Sequence, residues 1–276
     1  MPEGWKPRRA GFIYTGMIQR FNSFLAEHKL VGKSIDDLLA WLEQKSSSPW
    51  VFLDTETTGL PTSPYEVQLT QVSCVVATYD AAANRLQEVE SMDRKIRLTQ
   101  ATRAEMRSQA ERIKRVLSFN HYGQQGAVYS EEGQVLGELF ELLARHGRPV
   151  LVIQNAAFDM RMINTRSPVV RFDNEVIDTK QILQLFYLPC LQRLAEVDPR
   201  HQETLDRIGT SARDGGFPSS SLGRVGPVLG LDMTGYHDAL TDCRLMMSML
   251  ERVVAFLRAN RDVDIRRHQA LRARAK

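Results

Sequence analysis

The feature that most constrains this chain is a short apolar run that ends in two acids. Residues 51–60 read Val-Phe-Leu-Asp-Thr-Glu-Thr-Thr-Gly-Leu, so one residue separates Asp54 from Glu56. The apolar run predicts a buried β-strand, and side chains at positions i and i+2 of a strand project from the same face. Two adjacent carboxylates repel each other unless a hard cation lies between them. The pair is therefore either a cation site at the end of a strand or two acids that meet solvent there.

A second apolar run ends in a comparable way. Residues 150–153 are Val-Leu-Val-Ile, and Asn155 and Asp159 follow them, with apolar residues beyond. Asn is a good helix N-cap, and an acid in the first turn interacts favourably with the helix dipole. The segment thus predicts a strand followed by a helix. Helix-end electrostatics would also explain Asp159, so this acid alone does not establish a site.

A third segment places His237 ahead of Asp242, after a loop marked by Gly235. Apolar residues then recur at helical spacing, and Asp242 falls on the same face of that predicted helix. An unpaired carboxylate on an inward face is costly, so a metal or another cation is expected beside it. A lone histidine is usually a surface or core residue; its place just before an inward-facing acid makes it a candidate. The apolar positions are Leu245, Met246, Met249, Leu250, Val253, Val254 and Leu257.

Together the three segments resemble the three exonuclease motifs of the DEDDh (DnaQ-like) 3′–5′ exonucleases. Residues 54–60 match the first motif, 155–159 the second and 237–242 the third, with the histidine five residues before the last acid. Residues 177–179 resemble the short strand that follows the second motif, and the similarity spans roughly residues 48–257. The resemblance implies a ribonuclease H-like α/β fold. Its mixed central sheet would carry helices on both faces, with the first three strands antiparallel and later ones parallel.

Four carboxylates and one histidine suit hard divalent cations and a titratable base. Oxygen ligands favour Mg²⁺ or Mn²⁺ over zinc, and the sequence has no Cys/His cluster with zinc spacing. Two such ions, about 3.5–4 Å apart, stabilise the attacking and leaving oxygens of a phosphoryl displacement. A histidine with an ordinary pKa of about 6.5 works as a base near neutrality. We expect Asp54 to bridge the ions, Glu56 and Asp242 to bind one of them, Asp159 to complete the site directly or through water, and His237 to take the proton from the attacking water.

Further site residues follow from the resemblance alone. It implies that the backbone around Thr57 and Thr58 meets the terminal 3′-hydroxyl and that Leu60 wedges against the last base. It also implies that Asn155 and Phe158 line the terminal nucleotides, where stacking tolerates any base. Ordinary core packing would equally explain Phe158. The predicted substrate-binding residues are Thr57, Thr58, Gly59, Leu60, Asn155 and Phe158.

The resemblance implies a metal-dependent 3′–5′ exonuclease that releases nucleoside 5′-monophosphates. Single-stranded or frayed DNA is the favoured substrate, because Thr55, Thr57 and Thr58 resemble the proofreading type. An exoribonuclease that trims RNA ends or degrades short oligonucleotides is the alternative, since nothing in the motifs separates DNA from RNA. A non-catalytic nucleic-acid-binding or polymerase-binding subunit is a third reading, which the retention of every acid disfavours. The expected partners are a nucleic acid with a single-stranded 3′ end and a polymerase or another replication or repair protein.

Length and composition agree with one α/β domain and its extensions. The chain has 276 residues, 43% of them hydrophobic, and a formal net charge of +3. This mild positive charge permits nucleic-acid binding without requiring it. The three cysteines form no CxxC pair, which predicts reduced thiols in a cytoplasmic protein. No apolar run approaches the length of a membrane span, so we expect no membrane association.

The organisation along the chain predicts three parts. Residues 1–48 form a helical extension, with one helix over 12–25 and a capping box at Ser34 opening a second. Residues 49–258 form the exonuclease domain. Residues 259–276 form a basic tail that either follows a phosphate backbone or is solvated and disordered. Within the domain we predict strands over 67–79, 91–98 and 149–153, helices over 101–117, 130–147, 192–208 and 222–230, and otherwise no assignment for 189–222.

Overall fold

A six-stranded mixed sheet organises the molecule. The structure, a computed structural model, describes residues 30–60, 66–108, 110–124, 126–166 and 174–274. The strands of the sheet are β1 (Trp50–Thr57), β2 (Leu69–Asp80), β3 (Arg85–Ile96), β4 (Tyr129–Ser130), β5 (Val150–Ile153) and β6 (Val176–Asp178).

The strand order is β4-β3-β2-β1-β5-β6. β1 pairs antiparallel with β2, and β2 pairs antiparallel with β3. β5 lies parallel to β1, with Phe52 opposite Val152, and β6 lies parallel to β5. The predicted ribonuclease H-like α/β architecture is confirmed in these features. Because β1 and β5 run in the same direction, their carboxyl ends meet at one edge of the sheet, where Asp54, Glu56 and the residues after β5 come together.

Helices cover both faces of the sheet. Their bounds are α1 (Ile35–Lys45), α2 (Gln100–Ser108), α3 (Ala110–Phe119), α4 (Glu132–Arg145), α5 (Ala156–Asn164), α6 (Thr179–Ile182), α7 (Leu188–Ala195), α8 (Pro199–Ile208), α9 (Leu222–Val228), α10 (Ala239–Ala259) and α11 (Arg266–Arg274). A π-helical turn (Leu183–Tyr187) joins α6 to α7, and a 3₁₀ turn (Ala212–Asp214) lies between α8 and α9.

The apolar run of β1 is buried on both faces, which explains why it does not alternate with polar residues. Trp50 and Phe52 belong to one core, which they share with α1 and α10. Val51 and Leu53 belong to the other core, which they share with α4 and α5. The two cores thus hold β1 from both sides, and its acids lie at a rigid end of the sheet.

Two elements differ from the sequence predictions. β3 begins at Arg85 rather than residue 91, because the polar residues before 91 extend a hairpin with β2, in which Asp80 lies opposite Arg85. Helical residues of α2 and α3 cover the predicted helix 101–117 on both sides of residue 109, which lies outside the described residues. The predicted helix 192–208 is wrong. α7 ends at Ala195 and α8 begins at Pro199, where Asp198 accepts a hydrogen bond from the backbone N–H of Arg200. Proline is favoured in the first turn of a helix, so it starts α8 instead of extending α7.

The predicted capping box at Ser34 is confirmed. Ser34 Oγ accepts a hydrogen bond from the backbone N–H of Asp37 (3.1 Å), and Asp37 Oδ2 accepts one from the N–H of Ser34 (2.8 Å). The cap starts α1, whose residues Leu38 and Leu42 are buried in the core that contains Trp50. This helix therefore packs on the central sheet. The predicted helix over 12–25 lies outside the described residues.

The C-terminal part contains a folded helix where the sequence predicted a basic tail. α11 is anchored by Gln269, which is fully buried. Gln269 Oε1 accepts from the N–H of Gly32 (2.9 Å), and its Nε2 donates to the carbonyl of Leu185 (2.7 Å). The disordered alternative is therefore wrong for Arg266–Arg274, since these hydrogen bonds attach the helix to the body of the protein.

Two other expectations concern thiols and membranes. The cysteines are buried and form no disulfide: Cys74, Cys190 and Cys243. None of the helices in the described ranges is long and apolar enough to span a bilayer.

Candidate active site

Asp54 and Glu56 stand on the same face of β1, as their spacing predicts, and both are partly exposed. The pKa of Asp54 is raised well above its ordinary value by burial and then by the negative charges of Asp159 and Glu56. Burial, with the charge of Asp242 next, raises the pKa of Glu56 to about 9. The end of β1 therefore carries carboxylates whose charged forms are unfavourable unless a cation joins them.

The acid of the second motif is tied directly to β1. Asp159 lies in the first turn of α5 and is 2% exposed. Its Oδ1 accepts hydrogen bonds from the backbone N–H of Thr55 (3.0 Å) and from Thr55 Oγ1 (2.6 Å). Burial raises its pKa to about 7 even though these hydrogen bonds lower it. Helix-end electrostatics therefore does not account for this acid, which is held against the strand that carries Asp54.

The acid of the third motif lies in the first turn of α10. Asp242 is 7% exposed, and its Oδ1 accepts a hydrogen bond from the backbone N–H of His237 (3.2 Å). Burial raises the pKa of Asp242 to about 7. The chain turns sharply just before the helix, because His237 has a left-handed backbone with φ of 74°. The hydrogen bond and the turn together set the histidine beside the acid.

The imidazole of His237 packs against two aromatic rings. The ring centroids of Phe119 and Tyr236 each lie 3.8 Å from that of His237. Burial lowers the pKa of His237 to about 4, with a further contribution from His121. The sequence analysis assumed an ordinary pKa, so the structure corrects that assumption. The ring is neutral at neutral pH and able to accept a proton, but it is a weaker base than a solvated histidine.

The first and third motifs meet closely enough to share an ion. Glu56, His237 and Asp242 each offer one ligand atom, and these three atoms lie within 4.8 Å of one another. Within the described ranges this is the one group of three such residues. Asp54 and Asp159 are outside this group but interact electrostatically with it. Four clustered carboxylates with raised pKa values form an oxygen-rich site that a hard divalent cation fits.

The predicted substrate-binding residues differ in how accessible they are. Thr57 and Thr58 are buried: Thr57 Oγ1 donates to the carbonyl of Gly59 (2.6 Å), and Thr58 Oγ1 accepts from the N–H of Gln68 (2.9 Å). Leu60 is 46% exposed. The side chains of the two threonines therefore shape the turn after β1, whereas Leu60 is open to a ligand.

Asn155 and Phe158 follow β5 in the same region. Asn155 is exposed and has a left-handed backbone with φ of 68°. Phe158 is half-buried and packs against the core that contains Leu53. Core packing thus explains much of Phe158, while Asn155 presents its amide to solvent. Their contacts with a nucleotide stay predictions.

A polar network that the sequence motifs did not indicate lies behind the third motif. Asp238 caps α10 by accepting from the N–H of Thr241 (3.3 Å). Gln71 Nε2 donates to Asp238 Oδ2 (3.0 Å) and to Asp93 Oδ1 (2.8 Å), and Asp93 also accepts from Ser73 Oγ (2.6 Å). Polar residues in the otherwise apolar run of β2 were the available signal. This network fixes the start of α10, and thereby Asp242, against the sheet.

Asp178 at the end of β6 is a second residue that the motifs did not single out. Its carboxylate accepts hydrogen bonds from the backbone N–H groups of Asn155 (3.1 Å), Ala156 (3.2 Å) and Lys180 (2.9 Å). These bonds satisfy the start of α5 and the start of α6 at once. Asp178 therefore holds the turn in which Asn155 adopts its left-handed conformation.

A cleft of about 500 Å³ opens beside the acids. Asp54 and Asp242 line it, together with Asn155 and Lys180. Much of the rest comes from residues 210–224, named here the wall segment, which belongs to the stretch that the sequence analysis left largely unassigned. The cleft thus joins an acidic end to a side built from irregular backbone.

Comparisons with known proteins give a likeness of fold at low identity. Solved structures of Escherichia coli exonuclease I resemble the chain: the zinc-bound complex with single-stranded DNA (17% identity, 78% of this chain and 42% of that chain, TM-score 0.48) and the complex with a dT13 oligonucleotide (16%, 78% and 42%, TM-score 0.48). The chain spans less than half the length of these structures. No protein-family model matches the sequence, and no curated protein matches it. The assignment of function therefore depends on the geometry of this chain's own residues.

Proposed function

We propose that the protein is a metal-dependent 3′–5′ exonuclease of the DEDDh (DnaQ-like) kind that acts on single-stranded or frayed DNA. The observation that carries the proposal is the convergence of Glu56, His237 and Asp242 within 4.8 Å, beside Asp54 and Asp159. Three distant segments meet there at the mouth of a cleft. Burial of so many acids is costly, and a function for the cluster explains why the fold retains it.

The donor set fits hard divalent cations, Mg²⁺ or Mn²⁺. Asp54, Glu56, Asp159 and Asp242 would hold two such ions, which would stabilise the attacking and leaving oxygens at a scissile phosphodiester. The raised pKa values support this assignment, since the charged carboxylates repel one another when no cation lies between them. Asp159 has Oδ1 engaged by Thr55, so Oδ2 is the oxygen left for an ion or a bound water.

The chain's own residues supply a base and a place for the 3′ end. His237 would accept the proton of the attacking water at a ring nitrogen, because its ring is neutral and its backbone is fixed to Asp242. Leu60 and Asn155 would contact the terminal nucleotide: both are exposed, Leu60 follows the strand that carries Asp54 and Glu56, and Asn155 lines the cleft with Asp54. The products would be nucleoside 5′-monophosphates. Partnership with a polymerase or a repair protein stays a prediction from the resemblance.

Side-by-side digestion of end-labelled nucleic acids tests the proposal. Single-stranded DNA, duplex DNA and RNA, each labelled at the 3′ or the 5′ end, are incubated with protein in Mg²⁺, in Mn²⁺ or in EDTA. We expect early loss of the 3′ label as mononucleotide, a ladder shortening from the 3′ end of the 5′-labelled strand, faster cleavage of single-stranded DNA, and no cleavage in EDTA.

Other outcomes would change the proposal in defined ways. Preferential digestion of RNA would replace DNA with the exoribonuclease alternative. Cleavage that persists in EDTA would remove the metal mechanism. Binding of all three nucleic acids without cleavage under any metal condition would favour the non-catalytic subunit.

A further inference from the structure

Two positively charged side chains, Lys180 and Arg224, line the cleft. Lys180 follows the cap residue Asp178, and Arg224 lies in α9 at the end of the wall segment. Neither forms a salt bridge in the part of the chain that the structure describes. Lys180 Nζ donates instead to Asn155 Oδ1 (3.3 Å). Burial raises the pKa of Asp178 and the charge of Lys180 opposes this shift, but the two form no salt bridge, and the Asp178 carboxylate is engaged by three backbone N–H groups.

The cleft is therefore lined by charged side chains of both signs. Asp54 and Asp242 form an acidic end, and Lys180 and Arg224 contribute positive charge elsewhere in the same cleft. A single strand brings a row of phosphates into such a cleft. Divalent metal ions at the acidic end would bind the scissile phosphate. The next phosphates along the DNA need positive side chains of the protein. Arg224 is exposed, so its guanidinium is accessible to such a phosphate.

We propose that Lys180 and Arg224 form a subsite for backbone phosphates of the strand next to the scissile linkage. This inference depends on the proposed function and adds to it a requirement for more than one nucleotide. A nucleotide that carries only the scissile phosphate cannot reach the subsite. The two cations should therefore contribute to KM for an oligonucleotide and leave the chemistry at the acids unchanged.

The test compares two substrates in Lys180→Gln, Arg224→Gln and the double variant. One substrate is a single-stranded DNA oligonucleotide, and the other is the nitrophenyl ester of a nucleoside 5′-monophosphate, which has no second phosphate. We expect KM for the oligonucleotide to rise several-fold in each variant, with kcat unchanged. KM for the ester should stay unchanged in Arg224→Gln and rise less than KM for the oligonucleotide in Lys180→Gln, because Lys180 also contacts Asn155. The slope of log KM against log salt should become shallower by about 0.7 for each phosphate that the variant no longer binds.

Arg207→Gln is the matched control. Arg207 is an exposed arginine of α8 that does not line the cleft, so its replacement removes the same charge elsewhere. An equal rise in KM for Arg207→Gln, or an equal rise for the ester, would overturn the subsite. Unchanged KM values for the variants, with a wild-type protein that cleaves both substrates, would do the same. A wild-type protein that cleaves neither substrate would instead remove the proposed function.

A second, independent observation concerns a buried arginine behind the wall segment. Arg272 of α11 is 2% exposed. Its guanidinium donates to the carbonyls of Gln184 (3.2 Å) and Pro218 and lies 5.3 Å from the ring centroid of Phe217. A buried guanidinium is costly unless hydrogen bonds compensate for its lost hydration. Here two backbone carbonyls, one in the wall segment and one in the π-helical turn that carries Gln184, accept from the two terminal nitrogens of Arg272, while its Nε is buried without a hydrogen-bond partner among the described residues.

Hydrogen bonds connect these groups to the cleft surface. Gln184 Nε2 donates to Asp214 Oδ1 (2.8 Å) and to Ser220 Oγ (3.0 Å), and Asp214 Oδ2 accepts from the N–H of Ser220 (3.0 Å). The carbonyl of Ser220 accepts from Gln154 Nε2 (2.8 Å), directly after β5. Asp214, Ser220 and Gln154 all line the cleft. The contacts of Arg272 thus lie directly behind the cleft surface that a DNA strand would contact.

We infer that Arg272 is a positioning residue, through which the C-terminal helix holds the wall segment in the conformation that binds substrate. Arg272 itself is thereby excluded from the predicted contacts of the basic tail with a phosphate backbone, since its guanidinium is buried and engaged by carbonyls. Replacement of Arg272 should loosen the wall while the acids, which are held by β1, α5 and α10, stay in place.

Arg272→Met and Arg272→Lys, with Arg274→Met as control, test this role. Arg274 is exposed on the same helix. We expect Arg272→Met to raise KM for the oligonucleotide several-fold with kcat on the nitrophenyl ester unchanged, to speed hydrogen exchange in peptides covering the wall segment, and to be partly rescued in Arg272→Lys. A lowered melting temperature with unchanged KM and unchanged exchange in the wall would show a structural role only and overturn the inference.

Discussion

The acidic end of the cleft and the wall segment are held in different ways. The acids project from regular elements, β1, α5 and α10, whose apolar faces are buried in the two cores. The wall segment has little regular structure and is held by polar side chains of Gln184, Asp214 and Arg272. We therefore expect substitutions at the acids to abolish catalysis without moving the backbone. Substitutions of residues behind the wall segment should instead change substrate affinity.

The largest effect is expected at the acidic end. Asp54→Asn or Asp242→Asn should lower cleavage of single-stranded DNA by several orders of magnitude, because each removes a negative ligand from the site. Both variants should keep the native far-ultraviolet circular dichroism spectrum, since the amide has the same shape. Single-turnover cleavage rates in Mg²⁺ measure the decrease.

Asp262→Asn is the matched control for these variants. Asp262 is exposed and lies between α10 and α11, and it lines no part of the cleft. Its variant should cleave at the wild-type rate. Wild-type rates in Asp54→Asn or Asp242→Asn would place the chemistry elsewhere, and unfolding of either variant would show that the acids are not independent of the backbone that carries them.

The second effect concerns the base. His237→Gln should lower kcat by about 10²–10⁴-fold, the usual contribution of a general base. KM should change little, which separates this residue from the wall segment. His146→Gln is the control, because His146 pairs with Glu90 away from the cleft.

The pH dependence of the rate checks the same role. A base must be unprotonated, so wild-type activity should fall as the pH drops through the pKa of His237 in the metal-loaded enzyme. Plots of kcat against pH should lose this acid limb in His237→Gln. An unchanged limb in the variant would assign it to another group, such as a metal-binding carboxylate.

The acidic end could be predicted from the sequence because its signals are local. Asp54 and Glu56 follow an apolar run, and Asp242 shares a helical face with apolar residues, so periodicity alone indicated that they lie near the core. Their structural placement agrees: Asp242 is buried and Asp54 and Glu56 share a face. The fold class followed from the same motifs through the resemblance.

The conformation of the wall segment could not be predicted from the sequence. Its contacts join residues that are distant in sequence and follow no periodic pattern. Arg272 reaches Pro218 across 54 positions, and Gln184 reaches Ser220 across 36. An arginine-rich segment is typical of a solvated surface, and burial of Arg272 depends on backbone carbonyls and on the charge of Asp214, all supplied by another part of the chain. The Gln71–Asp238 hydrogen bond spans 167 positions and was missed for the same reason.

The smallest expected effect is on stability, and it again separates the two regions. In the folded protein the pKa of Glu56 is about 9 and those of Asp159 and Asp242 are about 7, against ordinary values of 4.5 and 3.8. Between about pH 4 and pH 9 the unfolded chain therefore binds fewer protons at these three acids than the folded one. Below about pH 6.5 His237 contributes one proton in the opposite sense, which the acids outweigh, so the free energy of unfolding of the metal-free protein should fall as pH rises. Denaturant midpoints measured in EDTA from pH 5 to pH 8 should decrease.

Saturating Mg²⁺ should flatten or reverse this trend, because binding to the folded state favours the ionised acids. Asp54→Asn should reduce the slope in EDTA, since it removes one of the repelling charges, while Arg224→Gln in the wall segment should leave the slope nearly unchanged. A metal-free stability that rises from pH 5 to pH 8 would show that cationic side chains already neutralise the acids. An equal change of slope in Arg224→Gln would show that the charges of the two regions are coupled, so that the acidic end and the wall could not be treated as separable.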